Sequence, residues 1–224
     1  MDSPPLTVLV VCRWSILGAG LQRAISAAWP DAAVVVVDGA LGALAATSAT
    51  RFDLAVVEAE LAGVCGAVAS HVVRSVSPET VCVLLVERVT DAVTLAAIAH
   101  GVAALIPTAS TGPGLVGLAR QALAGARPLD TVLLERPDLA ASLFDDVRSA
   151  ALDEAVYSLG LRALPPIEVA ILDGLIRGLP PGQIAAQLAD VGSLAVADIH
   201  RVIGRLDGTT EIPVECRVAT VAAA

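Results

Sequence analysis

Few side chains in this sequence combine the residue type and the spacing that chemistry requires. Its four cysteines, Cys12, Cys65, Cys82 and Cys216, form no C-x-x-C pair and have no histidine at metal-ligand spacing. Cys12 and Cys82 sit inside apolar runs, so the thiols read as reduced and buried rather than as a disulfide framework or a metal centre. His71, His100 and His200 lack an acid–nucleophile constellation in sequence, and Ser15 has no base nearby. Its neighbour Trp14 reads as a hydrophobe at a helix start. Gly18-Ala19-Gly20, followed by Asp38, is part of a dinucleotide fingerprint, but Arg23 stands where the third glycine belongs and the glycines fall inside a helix. Arg201 and Arg205 lie four apart on one helix face and could grip phosphates or pair with Asp198. No catalytic set, metal site or cofactor site emerges, and the expectation is a non-enzymatic protein.

The elements that would position these residues are legible from the hydrophobic pattern. Leu6–Val11, Ala33–Val37, Leu54–Val57, Val81–Val86 and Ala103–Ile106 are near-continuous apolar runs rich in β-branched residues, the mark of strands buried on both faces. Helical spacing alternates with them over Ile16–Trp29, Leu41–Thr47, Ala67–Val76, Asp91–His100 and Gly114–Ala124. Strand–helix alternation of this kind implies a parallel sheet covered by helices on both sides. Ligands and chemistry in such sheets gather at the carboxyl ends of the strands. The residues there are Cys12, Arg13, Asp38, Glu58, Val86, Glu87 and Pro107.

Composition narrows the classes further. The chain has 224 residues, 56% hydrophobic and 17% charged, enough to bury a core. Aromatics are only 2%, so Ala, Val, Leu and Ile must fill it. All 14 basic residues are Arg, and the net charge of −9 excludes a globally basic nucleic-acid binder while leaving a local Arg patch open. The mean hydropathy of +0.77 raises the question of a membrane. The longest uncharged stretch, Ala92–Ala119, is interrupted by His100, Pro107 and a Ser110–Gly114 turn cluster, and falls short of the ~20 apolar residues a span needs. Met1–Pro5 has no basic region and does not read as a signal peptide. The expectation is a soluble, cytoplasmic protein.

Beyond about residue 126 the pattern changes. Residues 127–161 read as a linker with an acidic connecting helix over Leu139–Leu159. From Leu164 onward it is all-helical, with helices over Pro166–Arg177, Pro181–Leu188, Leu194–Leu206 and Val214–Val221, a helix-turn-helix pattern. Leu164-Pro165-Pro166-x-Glu168, Ile171-Leu172, Gly178-Leu179, Ile184-Ala185-x-x-Leu188 and the apolar register of Ile199, Val202, Ile203 and Leu206 carry a resemblance. The chain resembles a response regulator of the LuxR/NarL type. That resemblance implies a flavodoxin-like (βα)5 receiver domain over 1–126, a linker over 127–161 and a four-helix DNA-binding domain over 162–224, an α/β plus all-α architecture.

The departures from that family are concentrated at its working positions. Where the resemblance implies two acids for Mg²⁺ after strand one, this chain has Cys12-Arg13. Glu58 matches the phosphoacceptor aspartate, Val86 the switch hydroxyl, Pro107 or Thr108 the phosphate-binding lysine, and Leu105 the switch aromatic. Phosphoryl transfer needs a carboxylate at the right reach and a divalent ion to neutralise charge. Neither is evident, so Cys12, Arg13, Glu58, Val86 and Thr108 outline a pseudo-phosphoacceptor pocket. Glu58 is then either a fixed mimic of the phosphorylated state or a carboxylate paired with Arg13. In the recognition helix, Val196, Ala197 and Asp198 replace a basic residue, a Thr and a His, leaving His200, Arg201 and Arg205 as the other DNA-binding candidates. Residues from Leu164 onward carry a net charge of −3, unfavourable for phosphate contact.

The leading expectation is a phosphorylation-independent transcriptional regulator. A degenerate regulator acting by protein contacts, as adaptor or heterodimer partner, and a small-molecule sensor using the altered pocket are the alternatives. The apolar helices Asp91–His100 and Gly114–Ala124 suggest a constitutive homodimer, unless the chain folds back to cover them.

Overall fold

The computed structural model describes residues 5–110, 112–138 and 164–189, together with the single positions 141, 191 and 199. Five strands, β1 (Thr7–Val11), β2 (Ala33–Val37), β3 (Leu54–Glu58), β4 (Val81–Val86) and β5 (Ala104–Pro107), form one sheet in the order β2-β1-β3-β4-β5. Every pairing is parallel, so each strand must be linked to the next by a crossover, and a helix supplies it. These are α1 (Ser15–Ala28), α2 (Gly39–Ala49), α3 (Gly66–Val76) and α4 (Asp91–Ala99), with α5 (Gly112–Leu123) following β5.

The pleat sorts each strand's side chains into two cores. Leu9, Val11, Ala55, Val57 and Leu84 face α2, α3 and α4, while Val8, Val10, Val56, Val83 and Ile106 face α1 and α5. Strands β1, β3 and β4 are buried almost throughout, as their apolar runs predict. β2 is a correction. It has the same valine-rich composition but ends the sheet, and Val35 and Val36 are each 39% exposed. Composition says which strands tolerate burial; position in the sheet decides which receive it.

One further correction concerns the second half. Pro128–Glu135 is a helix, α6, in a stretch that the sequence reading left as plain linker; Pro128 sits in its first turn, where the missing N–H costs nothing. α6 packs on α4 and β5 with Leu129 buried, and Arg136 beyond it pairs with Asp91 at the start of α4 and with Asp138. Part of the surface expected to drive dimerisation is thus covered by the chain itself. Apart from position 141, the expected helix over Leu139–Leu159 lies outside the described residues, as do most of Leu194–Leu206 and all of Val214–Val221.

The two helices that open the C-terminal part are present as α7 (Pro166–Ile176) and α8 (Pro181–Gln187). Gly178, at φ +75°, stops α7: its N–H bonds back to the Leu175 carbonyl and that of Leu179 to the Gly174 carbonyl. This is the two-bond termination that glycine makes possible at a helix end. Pro180-Pro181 then starts α8. Both helices lie on α2, and α7 also touches α3. Val169, Ala170, Ile171, Ile184 and Leu188 join Leu41 and Leu44 in one continuous apolar cluster. Among the described residues no helix is long and apolar enough to cross a membrane.

Because that cluster is shared, truncating it from the α7 side should weaken the whole. Ile171 is fully buried. Ile171→Ala is expected to cost about 2–5 kcal/mol in equilibrium urea unfolding and to lower the midpoint of the sheet-bearing part as well. An unchanged sheet transition would show that the two parts unfold independently.

Candidate functional site

The carboxyl edge of the sheet carries the charged groups that chemistry would use. β1 and β3 are neighbours, with Val11 opposite Val57, so the residues just beyond them meet. The Arg13 guanidinium Nε lies 3.3 Å from Glu58 Oε1, and the Arg13 backbone N–H donates to Glu58 Oε2 at 2.8 Å. The pairing expected from strand adjacency is present. Glu58 is the last residue of β3 and is 8% exposed, so its carboxylate is held by a charged fork and a peptide N–H rather than by water. Arg13 also reaches Glu60 at 3.6 Å and lies 5.2 Å from the centroid of the Trp14 ring. Trp14, 59% exposed, precedes α1 without a side-chain cap and forms a platform for the guanidinium.

The other sequence-derived positions fall into place around this pair. The Cys12 thiol donates to the Trp14 carbonyl; burial pushes its pKa up, and the Glu58 and Asp38 charges add to that shift. It is therefore a poor nucleophile. Cys82, in the core of β4, is raised to about 12 by burial. Val86 is buried at the end of β4, and its carbonyl accepts from the Thr108 N–H just past β5. No set of three or more potential metal-ligating side chains occurs among the described residues. Of the DNA-binding candidates, Val196, Ala197, His200, Arg201 and Arg205 lie outside the described residues. The Gly18–Gly20 turn is inside α1, where Gly18 makes room for Val36 and Cys12 rather than for a ligand.

A second charged cluster occupies the same edge, and the motif reading missed it. Asp173, in α7, is fully buried. Its Oδ2 accepts from the Leu41 N–H at the start of α2, and its Oδ1 accepts from the Val64 N–H in the β3–α3 loop, each at 3.0 Å. Arg177, one turn on, spans Asp173 Oδ2 at 3.4 Å and the Asp38 carboxylate, and donates to the Asp38 carbonyl. Side chains are excluded where the carboxylate enters. A Cβ at Gly63 would overlap Asp173, and one at Gly39 would stand 2.6 Å from Asp173 Oδ2 at a backbone φ of +65°. The sequence signal was an aspartate on the apolar stripe of α7, between Val169, Ala170 and Gly174.

Two cavities lie at the opposite, amino-terminal edge. One of about 140 Å³ is bounded by Arg74, Thr80, Gly101 and Arg127, and the other, about 300 Å³, by His71, Arg74, Ser75 and His100. His71 and His100, which the sequence reading treated separately, have ring centroids 5.7 Å apart.

No protein-family model matches the chain, and no curated protein matches it in sequence. Solved structures do match. The signal receiver domain of the response regulator NarL from Mycobacterium tuberculosis is 25% identical with a TM-score of 0.50, covering 55% of this chain and 99% of that one. A two-component response regulator of the LuxR family from Aurantimonas sp. SI85-9A1 is 24% identical with a TM-score of 0.51, covering 55% of this chain and 88% of that one. The receiver domain of an HD domain-containing protein from Pseudomonas fluorescens Pf-5 is 20% identical with a TM-score of 0.51, covering 56% of this chain and 91% of that one. The five-stranded part therefore has the fold of a response-regulator receiver domain.

Two outcomes follow from the charged edge. Arg13→Ala leaves Glu58 largely shielded from water with only a backbone donor, and is expected to lower stability by about 1–3 kcal/mol in chemical denaturation; Arg13→Ala with Glu58→Gln should recover part of that loss. Asp173 gives a pH signature. Burial raises its carboxyl above the ordinary 3.8, against the opposing pull of the Leu41 and Val64 N–H groups and Arg177. With the folded-state value above the unfolded one, proton binding there stabilises the native state. That contribution is complete below 3.8 and fades as pH rises through the raised value. The stability of the native protein relative to Asp173→Asn should thus improve as pH falls through that window. A pH-independent difference would contradict it.

Proposed function

We propose that the chain is a phosphorylation-independent, non-enzymatic transcriptional regulator built on the response-regulator plan. In this reading 1–126 is a receiver-like domain, 127–161 a linker and 162–224 a degenerate LuxR-type helix-turn-helix domain. The observation that carries it is the Arg13–Glu58 pair. A phosphoacceptor site needs a carboxylate open to attack and a divalent ion beside it. Here the carboxylate at the end of β3 is closed off by a guanidinium, which supplies in fixed form the positive charge that an ion would bring. Val86 and Leu105 provide neither the hydroxyl nor the aromatic ring that would report a change at that site. The pocket reads as a structural ion pair, with α7 and α8 supporting the start of a DNA-binding module.

A second reading is favoured by a separate observation. α7 and α8 bury their apolar sides on α2 and α3, and the residues from Leu164 onward are net acidic, which suits a protein partner better than a phosphate backbone. In that reading the chain is an adaptor or heterodimer partner.

Acetyl phosphate or beryllofluoride with Mg²⁺ is expected to leave the amide spectrum and the mass of the protein unchanged. A stoichiometric phosphoprotein that disappears in Glu58→Ala would overturn phosphorylation independence. A salt-dependent shift of duplex DNA, weakened by Arg201→Ala with Arg205→Ala, separates the regulator from the adaptor, for which no salt-sensitive DNA complex forms.

A further inference from the structure

One of the free N–H groups in the first turn of α2, that of Leu41, has two carboxylates of the same chain that could take it. Asp38 immediately precedes α2, with the extended backbone (φ −112°, ψ 125°) of a residue that caps a helix. Aspartate is among the strongest capping residues, and its side chain ordinarily accepts from the N–H two or three places into the helix. Leu41 N–H is that group. Yet Asp38 makes no capping bond. Its carboxylate is drawn off by Arg177, and Leu41 N–H goes to Asp173, which arrives from 132 residues away. The same Asp173 takes the Val64 N–H, and Glu60, the carboxylate nearest to it in sequence, is paired with Arg13. Gly39, between Asp38 and the helix, has no Cβ and sits at φ +65°, so the peptide there is free to turn either way.

We propose that the start of α2 is a carboxylate-binding site with two alternative occupants from this chain: Asp173 while α7 is docked, and Asp38 once α7 has left. Docking is then a cap exchange. Arg177 is the positioning residue, since it holds Asp38 aside while Asp173 is in place. When α7 departs, Arg177 leaves with it, the Asp38 carboxylate is released next to the donor that an aspartate in this place caps in an ordinary helix, and α2 keeps a closed N-terminus. The Val64 N–H gains no such substitute, because Glu60, the nearest carboxylate in sequence, stays with Arg13, which is not part of α7. The undocked state is therefore spared an open helix end, and the equilibrium between docked and undocked forms is shallower than the buried contacts alone would set. The inference goes beyond the reading of α7 and α8 as part of a DNA-binding module and holds whatever they bind.

The test is native-state amide exchange in the full chain, read at Leu41 and Val64. In Asp173→Ala, Val64 is expected to exchange rapidly while Leu41 keeps its protection, and adding Asp38→Ala should remove the Leu41 protection too. Equal loss at both amides in Asp173→Ala alone would overturn the proposal. Should Asp173→Ala fail to fold, Asp38→Asn and Asp38→Ala decide it with Asp173 intact. Both lose the charge paired with Arg177, but only asparagine still caps the undocked helix. Val64 should then exchange about five-fold faster in Asp38→Asn than in Asp38→Ala, the factor that a typical cap supplies. Exchange as fast or faster in Asp38→Ala would show that Asp38 acts only as an ion-pair partner.

Discussion

A carboxylate that is removed from water must find donors, and Asp173 finds two of its three in the peptide backbone. That requirement dictates much around it. The start of α2 and the β3–α3 loop must stand one carboxyl width apart, because one oxygen goes to each. Gly39 and Gly63 must lack side chains where the group enters. The third donor, Arg177, must come from the same helix one turn later, which orients α7 along α2. The apolar contacts of Leu41, Ile171, Gly174 and Ile184 then follow as the packing that this orientation permits. Apolar packing alone would allow α7 to slide; two directional hydrogen bonds to fixed peptides do not.

The carboxyl edge is thus organised as two guanidinium–carboxylate groups, Arg13 with Glu58 and Arg177 with Asp38 and Asp173. The chain contains no lysine, so all its side-chain cations apart from histidine are planar forks that stay charged at any working pH. In a receiver-like fold this edge is where a reaction would be sited. Here Glu58, Asp38 and Asp173 are each engaged by an arginine, and Glu58 and Asp173 by peptide N–H groups as well.

The sheet and its helices were largely legible in the sequence because strands buried on both faces impose near-continuous runs of β-branched residues, broken at regular intervals by helical spacing. β3 could even be placed beside β1 well enough to pair Glu58 with Arg13. What stayed hidden has a common cause. Edge strand β2 reads like a central one, since valine is accepted in both places. α6 was missed because Pro128 punctuates a sequence whether it ends one element or begins another. Asp173 was passed over because a single polar residue on an apolar stripe looks like an irregularity until the donors facing it are known, and those donors are backbone groups that no side-chain motif records. The recognition-helix candidates, Val196 to Arg205, fall outside the described residues.

The distance along the chain between Asp173 and its donors shapes how the molecule is assembled. The sheet is built from strand–helix units whose partners lie near one another in sequence, and β5 and α5 complete it by Leu123. The bonds to Leu41 and Val64 close loops of 132 and 109 residues. Long closures of this kind are slow steps even though their entropic cost grows only with the logarithm of length. During synthesis from the N-terminus the receiver-like sheet is therefore complete before α7 exists, and must stand for a time with the α2–α3 surface bare. Leu41, buried in the finished protein beside Gly174, has no α7 against it during that interval. The arrival of α7, with α8 after it, closes that surface.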